Sequence, residues 1–502
     1  MMETSLDAIV LHVAIGVVPL LFALMGGARG SQVALLGGLL LLPREGDWYF
    51  WLQTLSINKR TVVGLGLLLG LLLYDRAALR RLRPSFLDLP MTAFLLMPLV
   101  SFAANGLESW EVMLNQLWTR TLEWGVPYLV GRLYLADFLE QISAVRAVVV
   151  AGLMYVPLVL FETVVGPKWY LLPRLYGVAP HMHMVERLGG WRPEVFMTNG
   201  IELSSLLALI TVLATWLWAI GVGRFGKIPG WIPPLVLLFG TIMTRCVYGY
   251  ALVLLGLMSV GLARLMRLPL LVLVPLALVP PAYTAVRLTH AWDVGAAVNA
   301  VSALGREGSL AYRFRAEDQY MEKVAEHNLA LGFGGRNSSI YDFFAQRHLW
   351  PDGWWVHVLR ETGVVGLIIF WFAFVVEPVV MSSIRPSGEP DSLRAAKVPE
   401  ALALWATLHL IDSLQNMALL TITPWFAGAL VARIAGRWKR PSGDQEATGR
   451  QRHRHLRPRV LCPRPSRRAD HRRAQQQRRR DRQLPDQRAD APRLGLLAGA
   501  QP

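Results

Sequence analysis

Runs rich in Leu, Val, Ile and Gly alternate with short polar breaks along most of the chain, at residues 7–25, 61–74, 87–104, 113–135, 147–165, 196–220, 231–244, 246–266, 269–286, 354–380 and 400–420. Most lie near the roughly 20 residues that a helix needs to cross the hydrocarbon core of a bilayer. Shorter apolar stretches at 31–42 and 422–436 bring the expectation to about twelve or thirteen helices. Period-2 segments of the kind that build membrane barrels are absent, and in lipid the backbone must satisfy its own hydrogen bonds. The pattern predicts an all-α polytopic membrane protein. It lapses at residues 287–353, which are rich in Arg, His, Asp and Trp, and resumes through Asp352-Gly353-Trp354-Trp355. Four parts follow: an N-terminal transmembrane bundle over 1–286, a large loop over 287–353, C-terminal transmembrane helices over 354–436, and a tail over 437–502.

With 53% hydrophobic and 17% charged residues among 502, the composition excludes an ordinary soluble enzyme. Met1 to Asp7 is acidic, with no small-residue cleavage site clearly following, so the first span is expected to be a retained helix. Cys246 and Cys462, one in a helix and one in the tail, predict neither a disulfide nor a metal site. The net charge of +16 is concentrated after Gly436, in a segment dense in Arg, Gln, Pro and His with little to bury. A solvated, disordered tail or an unselected extension suits that composition better than a clamp for anionic lipid or nucleic acid, and no nucleic-acid partner is expected.

Basic connections set the expected orientation. Arg76, Arg80, Arg81 and Arg83 form one cluster, Arg224 and Lys227 a second, Arg264 and Arg267 a third, and Arg385, Arg394 and Lys397 a fourth. By the positive-inside rule these face the cytoplasm, which puts 166–195, the Arg245 turn and 287–353 outside; Lys59 and Arg60 fit that scheme poorly.

Arg245 interrupts an otherwise uncharged stretch from Trp231 to Leu262. At membrane depth an Arg costs at least about 2.5 kcal/mol without water or a partner, so it either snorkels from a tight turn or binds an anion. Arg192 lies just before an apolar helix on the same expected face. His181 and His183 lack any accompanying metal-ligand pattern and read as loop residues. Inside the loop stand Arg313 and Arg315, followed by the flexible turn Leu331-Gly332-Phe333-Gly334-Gly335, whose amides could approach an anion. Arg192, Arg245, Arg313 and Arg315 on one membrane face form the electrostatic arrangement expected for holding a pyrophosphate. His409, Asp412 and Asn416 share one helical face if the span at 400–420 is continuous, which suits interhelical hydrogen bonding or a proton relay.

These pieces resemble the superfamily of O-antigen ligases and Wzy-type polymerases of bacterial polysaccharide assembly, over most of residues 60–435. Arg192-Pro193 through Asn199 is similar to that family's Arg, Gly/Pro, Asn segment, and Thr241-Ile242-Met243-Thr244-Arg245 to its T-x-S-R helix end. Arg313 or Arg315 followed by Leu331-Gly332-Phe333-Gly334 is similar to its R…PxxGxG loop, and Glu361-Thr362-Gly363-Val364-Val365-Gly366 to its E-x-G-x-x-G element. Where many ligases carry His-Asn, this chain has Asp352-Gly353.

The resemblance implies glycan transfer or polymerisation at the outer face of a bacterial inner membrane, without a metal or other cofactor. The donor would be a polyprenyl-pyrophosphate-linked glycan, the acceptor a glycan or lipid, and membrane lipids the surroundings. Arg192, Arg245 and at least one of Arg313 and Arg315 would hold the pyrophosphate, Arg245 also serving catalysis. Asp352, or alternatively His348 or His357, would take the acceptor proton. Asp352 is equally placed to cap the re-entering helix. The rival classes are a lipid-linked oligosaccharide flippase and a structural subunit of an envelope complex.

Overall fold

Each apolar run forms a helix or a pair of helices. The computed structural model describes residues 6–43, 48–49, 55–106, 110–178, 186–223, 225–292, 294–302, 307–334, 340–342, 347–349, 351–384, 397–417 and 420–435. The chain divides into one unit, Met1–Trp438, and a second, Lys439–Pro502, which lies outside the described residues with the tail reading and Cys462. His181, His183, Arg224, Arg385 and Arg394 also lie outside them.

The long helices are α1 (Leu6–Met25), α2 (Gly27–Leu41), α3 (Lys59–Tyr74), α4 (Leu89–Asn105), α5 (Trp110–Arg120), α6 (Val126–Tyr134), α7 (Phe138–Val165), α8 (Gly200–Ala219), α9 (Ile232–Met243) and α10 (Val247–Met266). They continue with α11 (Leu270–Leu288), α12 (Val294–Ser302), α13 (Glu307–Asn328), α14 (Trp354–Trp371), α15 (Glu377–Ser383), α16 (Val398–Asp412) and α17 (Ile422–Ala435). Single π-helical turns, Thr121–Gly125 and Phe372–Val376, join α5 to α6 and α14 to α15. Strand structure among the described residues is confined to three small antiparallel hairpins, β1–β2 (Trp48–Tyr49, Ser56–Ile57), β3–β4 (Glu186–Arg187, Gly190–Trp191) and β5–β6 (Ile340–Asp342, Arg347–Leu349).

Among the described residues, seven segments are long and apolar enough to cross a membrane by length and composition: α1, α4 with its preceding turn, α7, α8, α10, α11 and the α14–α15 pair. The remaining runs are shorter or more polar and pack beside them. Outer helices turn apolar side chains outward, as with Ile9, Val13, Val17, Leu20 and Leu24 along one face of α1. Inner helices are buried on nearly every side, α8, α16 and α17 above all. The α6–α17 crossing is close because Gly131 lies on the Trp425 carbonyl and Gly428 on that of Tyr128, where a Cβ would collide with backbone.

Several charges inside this core are paired or hydrogen-bonded. Lys59 is fully buried and donates Nζ to the Phe196 carbonyl at 2.9 Å; Arg60 meets Glu202 at 2.8 Å. Their poor fit to the charge rule has a physical reason: they are interior groups, so they do not mark a solvent face. Arg132 holds Asp88 at 2.7 Å, and Arg120 holds Glu361 at 2.7 Å.

The two glycine motifs of the loop region meet each other. Phe333 N–H donates to the Arg360 carbonyl at 2.7 Å and Gly334 N–H to that of Glu361 at 3.2 Å, while Val364 N–H and Val365 N–H donate to Leu329 and Ala330 at 2.9 and 3.1 Å. Gly332 and Gly363 both take left-handed backbone, φ 69° and 64°, and a Cβ on either would strike the opposite strand of backbone. Ser101 of α4 closes the junction by donating to the Leu331 and Glu361 carbonyls. The expectation that the amides of the turn at 331–334 could receive an anion is corrected here, because the Phe333 and Gly334 amides are already bonded.

Candidate functional site

The segment before α8 is shaped by one carboxylate. Glu162, near the end of α7, accepts from Leu171 N–H at 2.7 Å and from the Glu194 and Val195 amides at 2.9 and 2.7 Å. Tyr170 adds a hydroxyl bond to the Arg192 carbonyl at 2.5 Å. The Asn199 side chain then caps α8, accepting from Ile201 and Glu202 amides at 2.9 and 3.0 Å.

Held this way, Arg192 is buried and reaches Cys246, Nη2 to Sγ 3.2 Å, while its Nε has no partner among the described residues. Burial pushes its guanidinium below the ordinary arginine value. Arg245 sits in the reversal between α9 and α10 with φ 50°. It donates Nη1 to the Leu188 carbonyl at 3.0 Å, and its guanidinium lies over Gly190 of the β3–β4 hairpin, which is the space a Cβ there would fill. Arg192 and Arg245 are therefore gathered at the hairpin and the first turn of α10.

Arg313, on α13, donates Nε to Asp352 Oδ2 at 2.8 Å. Arg315 is two residues further on, roughly 200° around the helix, and is exposed. Of the pair, Arg313 is the one placed on Asp352. The alternative role for Asp352 as a helix cap is corrected: Gly353 is the capping residue of α14 and receives no side-chain help, and Trp354 N–H donates to the Ser413 carbonyl at 2.8 Å. The second Asp352 oxygen has no partner among the described residues, and the side chain is 41% exposed. His357 is corrected as a substitute base, since it is buried, stacked on Trp354 and bonded to the Pro351 carbonyl at 3.0 Å. His348 lies on β6 opposite Tyr341, and its side chain lies outside the described atoms.

Sequence reasoning passed over the clamp that holds α13 in place. Arg287 at the end of α11 meets Glu317 at 3.0 Å and Asp318 at 2.7 Å, and Glu317 also accepts from Tyr283 at 2.9 Å and Gln415 at 2.8 Å. Burial pushes the Glu317 carboxyl up to about 7, against the pull of Arg287 and the hydrogen bonds. A folded pKa above the ordinary value of 4.5 gives stability that is complete below pH 4.5 and lost as pH rises through about 7. The thermal unfolding temperature of the detergent-solubilised protein should therefore carry a falling component across that window. Replacing Glu317 by Gln should remove it; an unchanged pH slope in that variant would refute the assignment.

Arg192 reaches the start of α10, and the starts of α10 and α14 both meet the end of α16. Cys246 touches Arg192, and two residues later the Tyr248 hydroxyl donates to the Asp412 carbonyl at 3.4 Å. The continuous face expected for His409, Asp412 and Asn416 is not formed, because α16 ends at Asp412. His409 pairs with Thr423 of α17 at 2.8 Å, while Asp412 accepts from Asn416 at 2.8 Å. Tyr248 offered no signal in the sequence: a lone Tyr at the start of an apolar run has no distinguishing pattern.

The fold and this cluster define an all-α polytopic membrane protein with arginines and a carboxylate gathered at one end of its helices. No protein-family model matches the chain, and neither a curated protein nor a solved structure is similar to it.

Proposed function

We propose that the protein is a membrane glycosyltransferase of the O-antigen ligase or polymerase type, moving a glycan from a polyprenyl-pyrophosphate-linked donor to a sugar or lipid hydroxyl. The reaction would take place at the outer face of a bacterial inner membrane. The supporting observation is that the Arg313–Asp352 pair precedes α14 and Arg192 and Arg245 flank the start of α10, two helix starts that both meet the end of α16. Asp352 has one oxygen oriented by Arg313 and one without a partner among the described residues, which would accept the proton.

In this reading the acceptor oxygen bonds to the anomeric carbon as the carbon–oxygen bond to the pyrophosphate breaks. Asp352 takes the acceptor proton, and Arg192, Arg245 and Arg313 meet the charge that grows on the departing pyrophosphate. Guanidinium groups suit that task because they stay charged and present a planar fork of donors. Arg315 would lie outside the reacting groups.

The test is reconstitution of the full chain in liposomes with a polyprenyl-pyrophosphate oligosaccharide and a range of acceptors, followed by mass spectrometry of the glycans. A ladder of repeats identifies a polymerase and a single adduct a ligase. Donor that only changes leaflet refutes the transfer reading in favour of a flippase.

A further inference from the structure

The far end of α10 lies roughly 30 Å from Cys246 by helix rise over its 20 residues. There a cavity of about 280 Å³ opens between the ends of α8 and α10 and the starts of α11 and α16. Its wall is largely apolar, with Trp216, Ile220, Val260 and Ala263, and its charged members are Arg264, Arg267 and Lys397. No carboxylate among the described residues lines it.

Lys397 has a structural task. Its ammonium donates to the Arg267 carbonyl at 2.9 Å, closing the C-terminal end of α10, and its own carbonyl accepts the Trp216 indole N–H at 2.9 Å. Arg264 and Arg267 are different. Both are exposed, three residues apart at the helix end, and neither guanidinium has an ion pair or hydrogen-bond partner among the described residues.

Their height along the helix points to what they meet. Met258, Leu262 and Leu265 follow each other on α10 at 62%, 46% and 80% exposed, as a lipid-facing row does, and the arginines stand at the end of the helix that carries it. A helix end that follows such a row is where phosphates of a bilayer leaflet would be met. Paired forks of guanidinium donors fit phosphate oxygens, and the apolar wall beside them fits glycerol and the first acyl carbons.

We propose that this cavity binds the headgroup of an anionic phospholipid, with its phosphate on Arg264 and Arg267 and its upper acyl chain against Trp216 and Val260. A free phosphate would satisfy the arginines and leave the apolar wall bare. A zwitterionic headgroup would bring an amine toward three cations. The proposal is independent of the glycan-transfer reading, since the site lies at the other end of α10.

The full chain, delipidated in detergent, would be titrated with phosphatidylglycerol, phosphatidylcholine and inorganic phosphate and followed by native mass spectrometry and thermal unfolding, beside Arg264→Gln, Arg267→Gln and the double variant. Phosphatidylglycerol should bind and raise the unfolding temperature of the unaltered protein, with phosphatidylcholine far weaker. Each single variant should weaken that binding about fivefold and the double variant about thirtyfold, with gel-filtration behaviour unchanged. Equal affinity in the double variant would overturn the proposal. Inorganic phosphate matching phosphatidylglycerol would overturn it in favour of a free-anion site.

Discussion

Replacing Asp352 by Asn should lower single-turnover glycan transfer about a thousandfold, the middle of the range for losing a general base. Asn is the informative substitute because its carbonyl oxygen can still accept the Arg313 Nε bond now made at 2.8 Å. The local geometry is kept and only the capacity to take a proton is lost. Arg313→Lys should cost less, since a cation remains but without the planar donor that aligns the carboxylate. Both positions are partly exposed, with side chains 15% and 41% accessible, so the variants should elute and unfold as the parent does. Transfer by Asp352→Asn within a few-fold of the parent would remove Asp352 from the chemistry and turn attention to His348.

The largest stability effect should come from a glycine. Gly363 takes φ 64° and ψ −165° inside α14, a conformation L-residues rarely adopt, and the backbone of Ala330 and Leu331 occupies the place of its Cβ. Gly363→Ala should therefore cost about 3 kcal/mol or more, combining backbone strain with separation of the bonds that Val364 and Val365 make to Leu329 and Ala330. Gly261 of α10 is the control, since nothing lies within 4 Å of its Cβ position; Gly261→Ala should not lower the unfolding temperature. A Gly363→Ala protein as stable as the parent would show that the junction is adaptable. Loss of that junction should also free the loop carrying Gly332, because Asn105 and Ser101 hold it only through backbone carbonyls.

Glycine motifs with the same spacing can therefore serve a purpose quite different from ligand contact. In Leu331-Gly332-Phe333-Gly334 and Glu361-Thr362-Gly363 the small residues let two stretches of backbone bond directly, and Glu361 is held by Arg120 at 2.7 Å. The carboxylate and the glycines act as one structural joint between the segment after α13 and the middle of α14.

Much of this protein is legible in the sequence because lipid imposes local rules. A helix satisfies its own backbone, so most apolar runs announce their helix within a few residues, from Leu6–Met25 to Ile422–Ala435. The charged residues chosen as candidates were legible for the same reason, since an arginine amid apolar spans needs a special cause. Which partner each charge meets was decided by tertiary structure alone. Arg313 and Asp352 are 39 residues apart, Arg60 and Glu202 are 142 apart, and Arg120 and Glu361 are 241 apart. Periodicity carries no information over such separations. The choice of Arg313 over Arg315 for contact with Asp352 depends on which face of α13 the Arg287–Glu317 clamp turns inward. The end of α16 at Asp412, which broke the face expected with Asn416, is likewise set by what packs around it: the Ser413 carbonyl takes the Trp354 amide and the Leu414 carbonyl takes the Trp355 indole. Local pattern determined where the helices are, while the packing of distant segments determined which charges became a site.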